Sequence, residues 1–363
     1  MNRRCLFVLL LGAALLAGCR AIRTPRFPRA SAGALLLIGG GLDDDQQPVF
    51  DRFLALAARD QPPRIVIATA SSGDQDDMAT GKTAALQTWW PGVPCDVVRR
   101  ETSTEATVAA IDAATGMFFT GGDQARITAR YRPDDQDTPE WLAMRRLLAR
   151  GGVIAGSSAG CAMMGERMLL GGTSGDALGD AGPRVGPGMH FLPEALTDSH
   201  FFERDRFGRL VAALEATGQR LGIGVSEDGC VEVDLATGRL TGIGIAEALL
   251  VDVGTMRRDG ADRRSVRVLR VPQHAAVDLR ARLAAPAVAL PPRPAGTPVA
   301  EVVVEEGQNR QLASWRLFAR ASDSGVWQLA LAGHRLVAWA TGDGESGVDI
   351  EVAPAPAPTT TGR

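Results

Sequence analysis

Short apolar runs closed by glycine or small polar residues alternate with longer amphipathic stretches through the first half of this chain. Residues 34–38, 64–69, 95–98, 116–120 and 153–155 are apolar at most positions, the pattern of strands buried on both faces of a sheet. Between them, residues 48–58, 78–90, 104–114 and 139–150 read as helices. In the last of these Trp141, Leu142, Leu147 and Leu148 make an apolar stripe, and Pro91-Gly92 stops the second. The alternation predicts an α/β fold with a doubly wound, mainly parallel sheet covered on both faces. Further on the pattern loosens. Residues 171–189 are glycine-rich and polar and read as a long loop, a helix is expected over 198–216, and 221–225 with 230–233 look like a hairpin-like return. Strands are expected within 248–253 and 265–271. A Pro/Ala linker over 284–298 then separates the main domain, 34–283, from a small β-rich module over 299–352 and a disordered tail over 353–363.

The N-terminus breaks the pattern. Arg3 and Arg4 precede an apolar run over 6–17 that ends in Leu16-Ala17-Gly18-Cys19. The run is short for a membrane span and fits a signal peptide, residues 1–18. The L-A-G-C ending resembles a bacterial lipobox, which implies cleavage before Cys19 and lipidation of its thiol. Arg20, in place of aspartate, implies an outer-membrane address, with residues 19–33 as tether. The chain has 363 residues, 45% of them hydrophobic and 22% charged, enough for a sizeable core, and its net charge of -3 argues against a nucleic-acid partner. Cys95, Cys161 and Cys230 remain after the leader, at spacings that suggest no disulfide framework. His190, His200, His274 and His334 show no metal-ligand spacing, and the glycines after residue 38 lack the G-x-G-x-x-G spacing of a dinucleotide site, so no cofactor is expected.

Chemistry concentrates around residues 151–160, Gly-Gly-Val-Ile-Ala-Gly-Ser-Ser-Ala-Gly. Ser158 is the centre of a G-x-S-x-G pattern between a buried strand and a helix. Such a turn needs small residues and lifts the serine hydroxyl clear of the sheet, where it is a candidate nucleophile.

Three more stretches fall in line with this one: Leu37-Ile38-Gly39-Gly40-Gly41, Phe118-Phe119-Thr120-Gly121-Gly122-Asp123-Gln124, and Asp198-Ser199-His200-Phe201-Phe202-Glu203-Arg204-Asp205-Arg206-Phe207-Gly208-Arg209-Leu210. The last is similar to a D-x-H-F-x-x-R-x-R-x-G-R-L pattern. In order and spacing, the four resemble the cyanophycinase and aspartyl dipeptidase family of serine peptidases over about residues 34–271. The resemblance implies a flavodoxin-like domain related to class I glutamine amidotransferases. It implies Ser158 as nucleophile, His200 as general base, Gln124 at the substrate site, and Arg204, Arg206 and Arg209 as the arginines of the last motif. The chain departs from the family at Ser157, often threonine, and at Ser199, where cyanophycinases carry glutamine.

Residue chemistry fills in the rest. A serine needs a neutral histidine to take its proton, and a carboxylate must orient that histidine. Asp176 is the expected carboxylate, with Asp180 as its rival. His200 at a helix start would have its proton affinity lowered by the helix dipole. Asp198 reads equally as an N-cap and as a substrate ligand. The backbone N–H groups of Gly122 and Ala159 are the candidate oxyanion donors. The three arginines suit carboxylate recognition. The activity that the resemblance implies is hydrolysis of β-aspartyl-arginine polymer (cyanophycin) to dipeptides, or of small acidic or β-aspartyl peptides. An α/β-hydrolase esterase using His274 and an inactive binding lipoprotein are the remaining alternatives. The expected partners are the peptide or polymer, the membrane through the lipid anchor, and a second copy of the chain in a homodimer.

Overall fold

The computed structural model describes residues 33–42, 45–244, 247–260, 263–302, 316–321, 325–331 and 334–352. The expected signal peptide, Cys19, nearly all of the tether and the tail 353–363 lie outside the described residues.

The strands, in chain order, are β1 (Ala34–Ile38), β2 (Ile65–Ala68), β3 (Cys95–Val98), β4 (Gly116–Phe119), β5 (Val153–Ser157), β6 (Arg167–Gly171), β7 (Arg184–Pro187), β8 (Ala195–Asp198) and β9 (Leu221–Val225). They continue as β10 (Gly229–Asp234), β11 (Arg239–Gly244), β12 (Ala248–Asp259), β13 (Arg263–Val271), β14 (Ala276–Asp278), β15 (Val299–Glu301), β16 (Val326–Leu331), β17 (His334–Ala340) and β18 (Ser346–Val352). The first five make the expected parallel sheet, in the order β1-β5-β4-β2-β3, and β10, β11 and β14 extend it antiparallel beyond β1. The connecting helices start where the sequence supplies caps. Asp74, Ser103, Asp123 and Thr138 each accept a hydrogen bond from a first-turn backbone N–H.

Alternation along β1 sorts its side chains to two faces. Ala34, Leu36 and Ile38 pack with Val49, Phe50, Phe53 and Leu54 of the helix Gln47–Ala57. Leu35 and Leu37 face the opposite layer, with Met144, Leu147 and Leu148 of the helix Pro139–Ala149. That second layer is shared. Leu221, Ile223 and Val225 of β9 and Ala248 and Leu250 of β12 belong to it, so a second sheet lies against the first.

The second sheet runs β15-β16-β17-β18-β13-β12-β9-β8 and is mostly antiparallel. It corrects the sequence reading in four places. Strands β9 and β10 are not a hairpin: the short link between them passes from the second sheet to the first. The stretch 171–189 is not all loop, since it holds a helix, Ser174–Leu178, and β7, which pairs with β6. The helix expected over 198–216 begins only at Phe207. Finally, residues 299–352 are β-rich as expected but are not a separate module. β18 pairs with β13 from Ser346 to Glu351, and Leu317, Phe318, Leu336, Val348 and Ile350 share a core with Leu196, Phe201, Phe207 and Leu210.

The expected linker is packed as well. Ala285 accepts from Arg220, Val288 from Thr255 and Ala289 from Arg267, and Leu290 is buried with Val326, Val337 and Trp339. Asp349, fully buried, accepts from Ser265 at 2.6 Å and from Arg263 at 2.6 Å. Phe318 stacks on Phe202 with ring centroids 5.9 Å apart and touches Phe207 at 5.5 Å. The period-2 pattern of the last strands was readable from sequence; which strand they join was not.

A chain stopped near Ala285 therefore loses the strand that covers β13 and the ring that covers Phe202. It is expected to be insoluble or to lose its cooperative thermal transition, and circular dichroism melting decides this. Phe318→Ala in the full chain is expected to cost about 3–5 kcal/mol by denaturant titration.

Candidate active site

The geometry begins at the ends of β1 and β5, which lie side by side with Ile38 opposite Ser157. After Ser157 the chain turns sharply into the short helix Ala159–Ala162. Ser158 sits in the turn at φ 54°, ψ -106°, a backbone conformation rare for a non-glycine residue. The turn closes because Gly156 has no side chain: a Cβ there would lie 2.2 Å from the Gly160 carbonyl oxygen. The Ser158 N–H donates to the Ile38 carbonyl at 3.0 Å, which pins the elbow to β1.

His200 arrives from the second sheet. It follows β8 in a tight turn at φ 46°, and its N–H donates to the Gly39 carbonyl at 2.7 Å. The imidazole lies over Gly40, where a Cβ would fall 2.4 Å from its Cε1 atom. Ser158 Oγ and His200 Nε2 are 2.7 Å apart. The other ring nitrogen, Nδ1, meets Glu227 Oε1. A carboxylate can only accept, so Nδ1 carries the proton and Nε2 is left to accept from the serine hydroxyl.

Glu227 replaces the expected carboxylate. Asp176 is exposed and engaged in a capping box, accepting from the Thr173 N–H at 3.0 Å and the Thr173 hydroxyl at 2.8 Å. Those bonds hold its carboxyl below the usual carboxylate range. Asp180, the rival, is exposed in the turn that follows. Asp176 and Asp180 lie near Ser158 in sequence but not beside the His200 ring. Glu227 comes instead from the sheet-to-sheet link Ser226-Glu227-Asp228, and no spacing from His200 announces it. The usable signal was weaker: two carboxylates and a glycine in a tight connection at the end of an apolar run.

His200 is also not at a helix start, so no helix dipole acts on it. Its proton affinity is lowered chiefly by burial; the hydrogen bond it donates to Glu227 opposes this, while Arg204 and Arg206 add to it. The net result is an imidazole that is neutral near pH 7, the form that can accept a proton.

The motif's other polar residues divide. Asp198 is 0% exposed and does not line any substrate space. It accepts from Arg209 Nε at 2.7 Å, Arg209 Nη2 at 2.6 Å and the Ser199 N–H at 2.9 Å, with Arg206 Nη1 at 3.3 Å. It is an internal counter-ion, which corrects its reading as N-cap or substrate ligand. Arg209 is buried with it and also donates to the Gly172 carbonyl at 2.8 Å. Arg206 turns inward to the Ser199 carbonyl at 2.6 Å, and burial pulls its guanidinium down to about 10. Arg206 and Arg209 therefore hold the His200 turn instead of facing outward. Arg204 alone of the three is exposed, and among the described residues no carboxylate pairs with it. Gln124 opens the helix Gln124–Tyr131 and donates its amide to the Leu169 carbonyl at 2.5 Å.

The turn after β4 lies against the elbow: a Cβ on Gly121 would be 3.4 Å from Ser158 Cβ. Among the described residues the N–H groups of Gly122 and Ala159 have no acceptor. A hydroxyl held by a neutral imidazole, itself oriented by a carboxylate, beside unengaged backbone donors, can attack a carbonyl and stabilise the oxyanion that forms.

Comparison with known proteins points to a serine-type peptidase. The model of peptidase family S51 matches residues 35–240. A cyanophycinase of Trichormus variabilis is 33% identical over 219 residues, covering 56% of this chain and 69% of its own length. A cyanophycinase of Synechococcus elongatus is 34% identical over 155 residues, 42% of this chain and 47% of its own. Among solved structures, a peptidase from an acI-B1 Actinobacterium superposes with a TM-score of 0.51 at 15% identity, covering 69% of this chain and 98% of that one; it speaks for the fold alone. The matched span holds both sides of the site, from the glycine end of β1 to the link that carries Glu227, and the chain is a serine-type peptidase that belongs to peptidase family S51.

Proposed function

We propose that Ser158, His200 and Glu227 are the catalytic triad of this peptidase and that its substrate is the β-aspartyl-arginine polymer cyanophycin. The observation that carries the reading is the unbroken chain of contacts from Ser158 Oγ through the His200 ring to Glu227. Ser158 Oγ attacks the scissile carbonyl while its proton passes to His200 Nε2. Glu227 steadies the imidazolium, and the N–H groups of Gly122 and Ala159 receive the oxyanion. The imidazolium then protonates the leaving amine, and water, deprotonated by the same nitrogen, releases the acyl group. Arg204, exposed beside His200, is placed to meet a substrate carboxylate. The relatives named cyanophycinase support the polymer as substrate.

A second reading, hydrolysis of small acidic or β-aspartyl peptides by the same triad, is favoured by one observation. Ser199 stands where cyanophycinases carry glutamine, and at 2% exposure it offers no side chain to a substrate. The mature domain assayed against cyanophycin, a β-aspartyl dipeptide and a p-nitrophenyl ester separates the two readings, and turnover of the ester alone sinks both.

The N-terminal L-A-G-C supports the further proposal that the enzyme is exported and anchored through a lipid on Cys19. Cys19→Ser is then expected to shift the protein from the membrane to the soluble fraction. An uncleaved, unlipidated N-terminus recovered from the native host defeats this reading.

Members of a catalytic unit are not additive. Ser158→Ala, His200→Ala and the double variant are expected to be about equally inactive, roughly 10⁴-fold or more below the wild type in kcat. Glu227→Gln is expected to lose activity heavily, whereas Asp176→Ala and His274→Ala stay near wild type; the opposite ranking of Glu227 and Asp176 refutes the triad. The rate should rise with pH as His200 loses its proton. Because burial lowers that proton affinity, the midpoint of kcat/KM is expected below the ordinary histidine value of 6.5.

A further inference from the structure

A buried serine outside the triad holds the turn that carries one of the oxyanion donors. Ser71, 1% exposed, follows β2 in the loop Ala70-Ser71-Ser72. Its hydroxyl donates to two consecutive carbonyls of the turn after β4, Thr120 at 2.8 Å and Gly121 at 3.0 Å. The Thr120 hydroxyl lies 3.2 Å away and donates to the Ala68 carbonyl at 3.3 Å. The backbone of Ser71 grips the same turn: its carbonyl accepts from the Asp123 N–H at 3.0 Å and from Arg126 Nη1 at 3.4 Å. A Cβ on Gly122 would fall 2.2 Å from that carbonyl oxygen, so loop and turn meet through bare backbone. Arg100 fixes the loop itself, donating from Nη1 to the Ala70 carbonyl at 2.9 Å and to the Ser72 carbonyl at 2.5 Å.

These contacts decide which way one peptide group faces. The Gly121 carbonyl and the Gly122 N–H belong to the same trans peptide, in which the two point in opposite directions. A carbonyl drawn to Ser71 Oγ therefore turns the Gly122 N–H away from Ser71, and among the described residues that N–H has no acceptor. Ser158 stands beside the same peptide: a Cβ on Gly121 would lie 3.8 Å from its Oγ. Glycine on both sides gives the peptide little preference of its own for one direction, and Gly122 sits at φ 138°, where a side chain would be strained. The direction must be supplied from outside, and among the described residues no other donor reaches the Gly121 carbonyl.

We propose, on the triad reading above, that Ser71 is a positioning residue: its hydroxyl holds the Gly121–Gly122 peptide with the N–H turned toward the oxygen that becomes the oxyanion. Ser71 is sealed from solvent and touches no substrate and no reacting atom. Without its hydroxyl the Thr120 and Gly121 carbonyls lose their buried donor. The peptide is then free to turn its own carbonyl into the site, where it repels the oxyanion in place of binding it.

Ser71→Ala tests this on the substrate that the wild type cleaves and, independently of substrate, through the rate at which a fluorophosphonate reagent labels Ser158. Loss of an oxyanion donor costs about 10²–10³ in kcat, and a donor that still faces the site part of the time is expected to cost less, about tenfold to a hundredfold. KM and the acid midpoint of the pH profile are expected to stay at their wild-type values, because His200 and Glu227 keep their places. The labelling rate is expected to fall by a similar factor while labelling still runs to the wild-type stoichiometry. A merely structural residue would lower the melting temperature and the final stoichiometry and leave the rate of the surviving molecules alone. Ser71→Cys, whose thiol is a weak donor, is expected to fall between the two, and it serves should the alanine variant fail to fold. Ser72→Ala removes the neighbouring hydroxyl, which donates to the Asp74 carbonyl at 2.6 Å and not to the turn, and it is expected to match the wild type. Ser71 variants with wild-type kcat and labelling rate, or a loss in Ser72→Ala equal to that in Ser71→Ala, overturn the proposal. Ser158→Ala and Glu227→Gln run alongside: if they stay active, the triad reading itself has failed; if they are dead while Ser71→Ala matches the wild type, only the role of Ser71 has.

Discussion

The approach of the His200 ring to the end of β1 is the constraint on which the rest of the site depends. A histidine from one sheet must reach a serine at the end of a central strand of another, and the space between them is occupied by backbone. Only a residue without a side chain leaves room, and Gly40 is that residue. The same glycine end accepts the His200 N–H at Gly39 and the Asp228 N–H at Gly40. One strand terminus thus fixes the serine, the histidine and the link that carries Glu227. A methyl group at Gly40 would displace the imidazole and with it the whole alignment.

What holds His200 from its own side is a buried charge cluster. Asp198 closes β8, and Arg209 and Arg206 reach back to it from the helix Phe207–Thr217 and its approach. Taking a carboxylate fully out of water costs several kcal/mol, and the bidentate arginine offsets that only while both partners remain. Such a cluster contributes little net stability, but it allows one conformation of the turn between its ends. His200 lies in that turn in a left-handed backbone conformation that an isolated peptide would rarely adopt. The motif's arginines therefore do two kinds of work: two set the backbone and one faces outward.

The parallel half of the molecule was legible because its signals are local. Apolar runs and glycine ends placed β1 to β5, amphipathic stretches placed the helices between them except Gln124–Tyr131, and the G-x-S-x-G spacing with the His200 motif placed the serine and the histidine. The remainder depends on pairings that periodicity does not encode. Apolar positions in 230–233 say strand but not which neighbour, and so a return against β9 is expected where β10 joins β1. Glu227 was missed for the same reason: it is near His200 only because two sheets meet there. Asp198 was misread because a carboxylate at a strand end looks alike in sequence whether it faces solvent or two guanidinium groups.

Phe318 against Phe202 ties the catalytic turn to a distant part of the chain. The elbow with Ser158 belongs to the first half of the chain and can form as soon as β1, β4 and β5 meet. The turn with His200 is braced by a ring that is synthesised far later, within the part of the chain that completes the second sheet. The ring that braces the His200 turn thus lies more than a hundred residues beyond it in the chain. The Ser158 elbow and the brace on the His200 turn are therefore supplied by widely separated parts of the polypeptide.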